Sequence, residues 1–376
     1  MKSRYFFPLG KAYGEAFCNR VEETKKLIGH INNGKHTFLV APRRYGKSSL
    51  CEKVFEFIDH PYEKLDFHIA INEKDVERII INGVIDLIGK SIGSVEKLVN
   101  TIKQYTKKLK PKLSIGTKEM FYLELEVVND SSTAENIADA LLLLEKLLQK
   151  KGKHATLLFD EFQEIGKITD GKGLEGAIRH VAQETSNVSF IFSGSNPHLL
   201  RMMFEDERRP LYKLCRKLVL DRIDAKDYQI HINKAATKMW QHNLSDQVFE
   251  RIMTVSERHP YYVNYLCDEL WSKEDNIPSI DDIDTAWMMV VEEERSDLLK
   301  DFFSLSENQR KLMVYIANCG GDDIYSNGAA RKMGVHTTSI SRALVTLVEK
   351  DYIEKTNDGY RLIVPVYKTL LKTQLR

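Results

Sequence analysis

The chain has 376 residues, enough for two or three domains, and 43% of them are apolar, with 16 Phe, 16 Tyr and 3 Trp to build a large core. Its 55 basic and 54 acidic residues leave a net charge of +1, a balance that neither demands nor excludes a nucleic-acid partner and makes any such surface a local one. Five scattered cysteines without a C-x-x-C pair indicate neither a zinc site nor a disulfide framework and fit a reducing, cytoplasmic compartment. The apolar part of MKSRYFFPLG is too short for a signal peptide, and no apolar run approaches the roughly 18 residues that span a bilayer.

Residues 17–28, FCNRVEETKKLI, predict a helix with Asn19 as N-cap and Glu22 and Glu23 in its first turn. Phe17 and Arg20 either pack that helix or contact an adenine. Next comes FLVAPRRYGKSSL, Phe38–Leu50: a short apolar strand, a tight loop and a helix start. The loop closes on Gly46-Lys47-Ser48 as a P-loop does, turning successive N–H groups inward as a nest for phosphate oxygens. Pro42, Arg43, Arg44, Tyr45, Gly46, Lys47, Ser48 and Ser49 are therefore the candidate nucleotide contacts. Lys47 is expected to reach the β- and γ-phosphates and the Ser48 hydroxyl to bind Mg²⁺. Ala41 replaces the Gly that usually opens the motif.

The helix from Ser48 to about Ile58 is followed by a predicted strand, Leu65–Ile71, and by a helix over 74–94. Residues 102–118 are markedly basic, either a solvated insertion or a surface for nucleic acid or an acidic partner, and 112–128 read as a β-hairpin. Ser132-x-x-Glu135 forms a capping box for a helix running to Lys151 and ending at Gly152. Ala155–Phe159 is then a continuous apolar run, as a strand buried on both faces requires, and Asp160-Glu161 close it. Carboxylates at the C-terminal end of such a strand sit where doubly wound sheets bind ligands. Asp160 is the expected Mg²⁺ partner of Ser48, and Glu161 the general base for an attacking water.

A helix over 174–184 leads to a second buried strand, Val188–Phe192. Ser195 and Asn196 beyond it either contact the γ-phosphate or the water, or belong to a simple turn. Arg208 and Arg209 are candidate arginine fingers, in cis or from a neighbouring subunit, or ordinary surface residues. Leu218–Leu220 is a possible last strand. From Asp224 to about Phe303 the pattern is helical. There His259-Pro260 opens a helix and faces either a nucleotide or the core. From Leu305 the order is helix, short helix, turn at Gly334, helix, then a hairpin about Asn357-Asp358-Gly359. This is the layout of a winged helix-turn-helix. Thr338, Ser339, Ser341 and Arg342 suit a groove-facing surface on double-stranded DNA, although winged helices also serve protein contacts.

FCNRVEE, FLVAPRRYGKSSL, PKLSIGTKEMFYLELE, TLLFDEFQEI, FIFSGSNPHLL, RPLY and HPYYVNYLCDELW together resemble the archaeal-type ATPase family, a branch of the STAND class of AAA+-related P-loop ATPases. The resemblance implies an ASCE-type core in which Glu161 is the catalytic glutamate and Lys47, Ser48 and Asp160 serve ATP and Mg²⁺. It also implies that His259-Pro260 help close a lid over the nucleotide.

The expectation is an α/β fold. A P-loop ATPase core with a parallel sheet occupies 1–223, a helical lid 224–304, and a winged helix-turn-helix 305–376. Its expected activity is ATP hydrolysis, with ATP or ADP and Mg²⁺ as cofactors. Its nucleotide state would control the lid and the winged helix, with double-stranded DNA, a protein partner or a second copy as possible partners. The rival expectation is a DNA-binding regulator or interaction scaffold whose ATPase fold only senses nucleotide.

Overall fold

Five parallel strands organise the α/β part of the chain: β1 (Thr37–Val40), β2 (Tyr62–Asp66), β5 (Ala155–Asp160), β6 (Val188–Ser193) and β7 (Arg216–Val219), in the spatial order β2-β5-β6-β1-β7. This computed structural model describes residues 5–92, 109–115, 121–127, 132–168, 171–273 and 276–374. By their contacts they form two units, Val21–Ala41 with Leu50–Leu220, and Met1–Arg20 with Pro42–Ser49 and Asp221–Arg376.

In the first of these units β1, β5 and β6 are buried along their whole length, as strands covered on both faces must be. Their apolar runs supply an aromatic stack, with Phe159 4.9 Å from Phe192, Phe162 4.6 Å from Phe192 and Phe38 4.7 Å from Phe204. Helix α1 (Val21–Asn32) belongs to this unit, as do α3 (Glu73–Ile92), α4 (Thr133–Lys151), α5 (Gly171–Glu184) and α6 (Pro197–Glu205). The Ser132–Glu135 capping box starts α4, and Gly152 ends it with a φ of 59° that glycine adopts without strain. The hairpin expected over 112–128 is present as β3 (Leu109–Ile115) paired antiparallel with β4 (Phe121–Val127). Most of the basic stretch 102–118, and all its side chains, lie outside the described residues.

Two boundaries differ from expectation. Strand β2 ends at Asp66 instead of running over 65–71, because its partner β5 ends at Asp160, directly opposite Asp66. The apolar residues beyond it, Ile69 and Ile71, are 70% and 86% exposed. Helix α1 starts at Val21, and Asn19 does not cap it. Asn19 and Arg20 both have positive φ, 49° and 73°, and turn the chain first.

In the second unit α7 (Ala225–Trp240), α8 (Asp246–Ser256), α9 (Pro260–Ser272) and α10 (Ile280–Ser304) pack about one core. Phe6 and Phe7 join that core from the N-terminal segment, with the Phe7 ring 4.8 Å from Trp271. Helices α11 (Glu307–Cys319), α12 (Asn327–Met333) and α13 (Thr337–Glu349), then the antiparallel pair β8 (Ile353–Lys355) and β9 (Tyr360–Leu362), surround a further core. Gly334 caps α12 in the left-handed region, φ 62°, as the turn there requires. Helix α14 (Pro365–Gln374) follows the hairpin, an element that sequence reading did not anticipate. Its Val366, Leu370 and Leu371 are buried at helical spacing, and Thr369 accepts the Trp287 indole N–H at 2.9 Å.

Candidate functional site

The loop Pro42–Ser49 leaves the C-terminal end of β1 and runs into α2 (Lys47–Phe55). Arg44 and Gly46 both have positive φ, 63° and 87°, while Tyr45 between them is 1% exposed. Left-handed residues in such a loop turn neighbouring N–H groups to one side, which makes a nest for an anion. At Gly46 a β-carbon would meet nothing within 4 Å, so the concavity is open there. The Lys47 ammonium donates to the Pro42 carbonyl at 3.0 Å, across its own loop. Ser48 is half-buried in the first turn of α2, and the Ser49 hydroxyl accepts from the Ala12 N–H at 3.0 Å.

Arg43 and Arg44 are exposed. The Arg44 guanidinium lies 3.9 Å over the Tyr261 ring and 3.5 Å from the Glu294 carboxylate. Pro260 takes the first position of α9, where its missing N–H costs nothing. His259 precedes it, 2% exposed, its ring 4.8 Å from Tyr45 and 4.9 Å from Tyr262. Burial, reinforced by the Arg222 and Arg44 cations, holds the imidazole well below its usual pKa, so it is neutral at pH 7. Its Nδ1 has no hydrogen-bond partner among the described residues.

Asp160 and Glu161 end β5. One Asp160 oxygen accepts the Ser193 hydroxyl at 2.5 Å and the Glu161 N–H at 3.2 Å, and the other lies 2.5 Å from the Lys64 ammonium. Burial opposes ionisation of Asp160, but Lys64 and Ser193 outweigh it, and the carboxyl sits below the usual range. Glu161 has a left-handed φ of 53°. Its Oε2 accepts three hydrogen bonds: Gln163 Nε2 at 2.7 Å, the Ser195 hydroxyl at 2.7 Å and the Ser195 N–H at 3.1 Å. Here too burial raises the pKa and the donors lower it further, so Glu161 is ionised at neutral pH. Asn196 is engaged elsewhere, its side chain capping α6 by accepting the Leu199 N–H at 2.8 Å.

Of the two candidate arginine fingers, Arg208 is 85% exposed and forms a two-pronged pair with Asp206, at 3.0 and 2.8 Å. Arg209 is turned inward onto the fully buried Glu175 carboxylate. Burial lifts that carboxyl to about 7 in spite of the guanidinium beside it. Among the DNA-contact candidates, Thr338, Ser341 and Arg342 are exposed on α13 and Ser339 is half-buried, while Ile340, Ala343, Leu344 and Leu347 are buried.

The loop and His259-Pro260 thus fall in one unit, and Asp160, Glu161, Ser195 and Asn196 in the other. Sequence reading missed Lys64, Gln163 and Ser193, the direct partners of the two carboxylates. Ser193 and Gln163 stand within motifs already singled out, three residues or fewer from a candidate. Lys64 lay just ahead of the misplaced start of β2.

Residues 88–214 match the AAA domain family. That stretch, about a third of the chain, is similar to an AAA domain. The matched stretch includes Asp160, Glu161, Ser195, Asn196, Arg208 and Arg209, and it does not include the loop at 42–49. Among solved structures, the Walker-type ATPase PABY2304 of Pyrococcus abyssi superposes with a TM-score of 0.68 at 18% identity, covering 98% of this chain and 99% of that one. The ORC2 protein of Aeropyrum pernix, solved as ADPNP-ADP complexes, superposes with a TM-score of 0.51 at 13% identity, covering 99% and 98%. At such identities the fold is what is shared. The five parallel strands, with β6 between β1 and the carboxylate-bearing β5, are of the ASCE type. No curated protein sequence matches the chain. Among the described residues no helix is long and apolar enough to cross a membrane.

Proposed function

We propose that this ATPase is a nucleotide-controlled switch of the STAND kind. In this reading Lys47 and Ser48 serve ATP and Mg²⁺ together with Asp160 and Glu161, and the nucleotide state sets a helical lid (224–304) and a winged helix (305–376). The observation that carries it is the pair of features borne by two parallel strands of one sheet. In the chain a loop with left-handed Arg44 and Gly46 follows strand β1, and β5, parallel to β1, ends in two ionised carboxylates. A carboxylate and a hydroxyl are hard oxygen donors of the kind Mg²⁺ takes, so Asp160 and Ser48 fit that ion. Bound Mg²⁺ supplies charge neutralisation on the phosphate oxygens.

The chain's own residues do the rest. The loop N–H groups and Lys47 hold the phosphates. Ser195 and Gln163 fix Glu161 by one oxygen, which leaves Oε1 to take the proton of an attacking water. Asn196 is free to contribute only if its cap on α6 opens, and Arg208 is the better-placed finger because its pair with Asp206 is exposed to solvent. His259-Pro260 close the lid through the packing of His259 on Tyr45 instead of by touching phosphate, since the imidazole is neutral and buried. Slow turnover suits a device whose ATP and ADP forms bias two arrangements.

A DNA-binding role is supported by one observation, the polar exposed face of α13 formed by Thr338, Ser341 and Arg342 opposite its buried apolar face. Phosphate contacts there predict affinity that falls steeply with salt. The switch reading is tested by nucleotide binding to Lys47→Ala. The variant is expected to lose ATP and ADP, and wild-type affinity would defeat the reading.

A further inference from the structure

Tyr45 takes no part in the phosphate chemistry above, yet both its hydroxyl and its backbone carbonyl are held. Its hydroxyl donates to Glu354 Oε1 on β8 at 2.7 Å and accepts from Arg222 Nε at 3.1 Å. Its backbone carbonyl accepts from Arg20 at 3.3 Å, and Arg20 also donates to the Asp221 carbonyl at 2.6 Å. Arg222 is an unusual partner, because its side chain is 1% exposed. A buried guanidinium is tolerated only when its donors are used. Beyond Tyr45 it reaches the Glu257 carbonyl and carboxylate, at 2.8 and 3.0 Å, and the carbonyls of Leu362 and Ile363, both at 3.0 Å. Glu354 is held in turn by Arg361 at 2.6 Å. All of these residues belong to one unit.

We propose that Arg222 and Glu354 are positioning residues for the phosphate loop, acting through Tyr45, so that nucleotide occupancy and the set of the β8–β9 hairpin are a single linked equilibrium. The physical case rests on where Tyr45 stands. The nest depends on left-handed backbone at both of its neighbours, one of which, Arg44, is not glycine and is strained there. A residue held between those two by three hydrogen bonds, two at its hydroxyl and one at its backbone carbonyl, over-determines that conformation. A shift of the hairpin moves Glu354 together with the Leu362 and Ile363 carbonyls, and so alters the restraint. By reciprocity, a ligand that organises the loop tightens the hairpin to the same extent. A hydroxyl bonded to a carboxylate is among the stronger hydrogen bonds, and expressing about half of its worth as loop pre-organisation corresponds to roughly tenfold in nucleotide affinity.

The inference rests on the reading of Pro42–Ser49 as a phosphate site, and the test separates the two. ADP binding is measured on the full chain for wild type, Lys47→Ala, Tyr45→Phe, Glu354→Ala, Glu354→Gln and the Tyr45→Phe/Glu354→Ala double variant. Tyr45→Phe and Glu354→Ala are each expected to weaken ADP roughly tenfold, and the double variant by no more than either single. Glu354→Gln, whose amide oxygen still accepts, recovers most of the affinity lost in Glu354→Ala, a rescue that a merely destabilised loop would not give. Loss of ADP in Lys47→Ala with unchanged affinity in Tyr45→Phe and Glu354→Ala overturns the positioning role and leaves the phosphate site standing. Unchanged affinity in Lys47→Ala overturns the phosphate site, and the positioning role with it.

Discussion

Gly194 tests how Glu161 is held. A β-carbon at this position would stand 1.9 Å from Gln163 Oε1 and 3.0 Å from its Cδ, and the next nearest atom is the Gln163 backbone nitrogen at 3.9 Å. Gln163 is 1% exposed and cannot swing into solvent, so Gly194→Ala forces its amide to turn. The 2.7 Å bond from Gln163 Nε2 to Glu161 is then lost. A hydrogen bond to a charged group is worth about 1.5–3 kcal/mol, and crowding a packed core costs about 1–3 kcal/mol more. Gly194 does not have a left-handed φ, so alanine brings no backbone penalty of that kind. The expected result is a stability loss of about 2.5–6 kcal/mol and a fall in kcat of roughly 10- to 100-fold, a fraction of what a general base contributes. Thermal melting and single-turnover ATP hydrolysis read the two effects. The decisive comparison is with Gln163→Ala, which removes the clashing atoms. Gly194→Ala/Gln163→Ala should turn over no more slowly than Gln163→Ala alone. Additive losses, or wild-type turnover in Gly194→Ala, would refute the argument that Gln163 holds the base.

Lys64→Met removes the ammonium that pairs with Asp160, and the Mg²⁺ concentration for half-maximal hydrolysis should fall by roughly tenfold, since a cation no longer competes for that oxygen. An unchanged Mg²⁺ dependence would show that Lys64 and the metal do not share Asp160. Glu175 gives a pH signature. Burial raises its carboxyl from 4.5 to about 7, so the stability it contributes is complete below its unfolded pKa and lost as pH rises through about 7. Glu175→Gln stays neutral, and its melting temperature should drop less than that of wild type between about pH 5 and about pH 8. Parallel curves would mean that Arg209 keeps Glu175 ionised throughout.

The sheet was legible because its strands are buried on both faces and therefore written as unbroken apolar runs, as in ATLLFD and VSFIFS. The same rule misled at FHIAI, where an apolar run continues past the end of its partner strand and Ile69 and Ile71 emerge into solvent. Capping signals were dependable where one residue decides the geometry, at Ser132, Gly152 and Gly334. Asn19 looked like such a signal, but the neighbouring Arg20 side chain reaches the Tyr45 and Asp221 carbonyls, contacts distant in sequence that no local pattern encodes. The site divides in the same way. Lys47, Asp160 and Glu161 stand out because their chemistry is tied to a spacing. Gln163, Lys64 and Arg222 matter through partners elsewhere in the chain, and only the fold brings Arg222 to Tyr45 or Lys64 to Asp160.

Hydrolysis by an ionised Glu161 at the end of β5 is read by Mg²⁺-dependent ATP turnover of wild type beside Glu161→Gln. Glutamine keeps the size and the contacts to Ser195 but cannot take a proton. Slow turnover in wild type, at least 100-fold slower turnover in the variant, and ATP binding retained by both are the expected results. Full turnover in Glu161→Gln would contradict the role of Glu161.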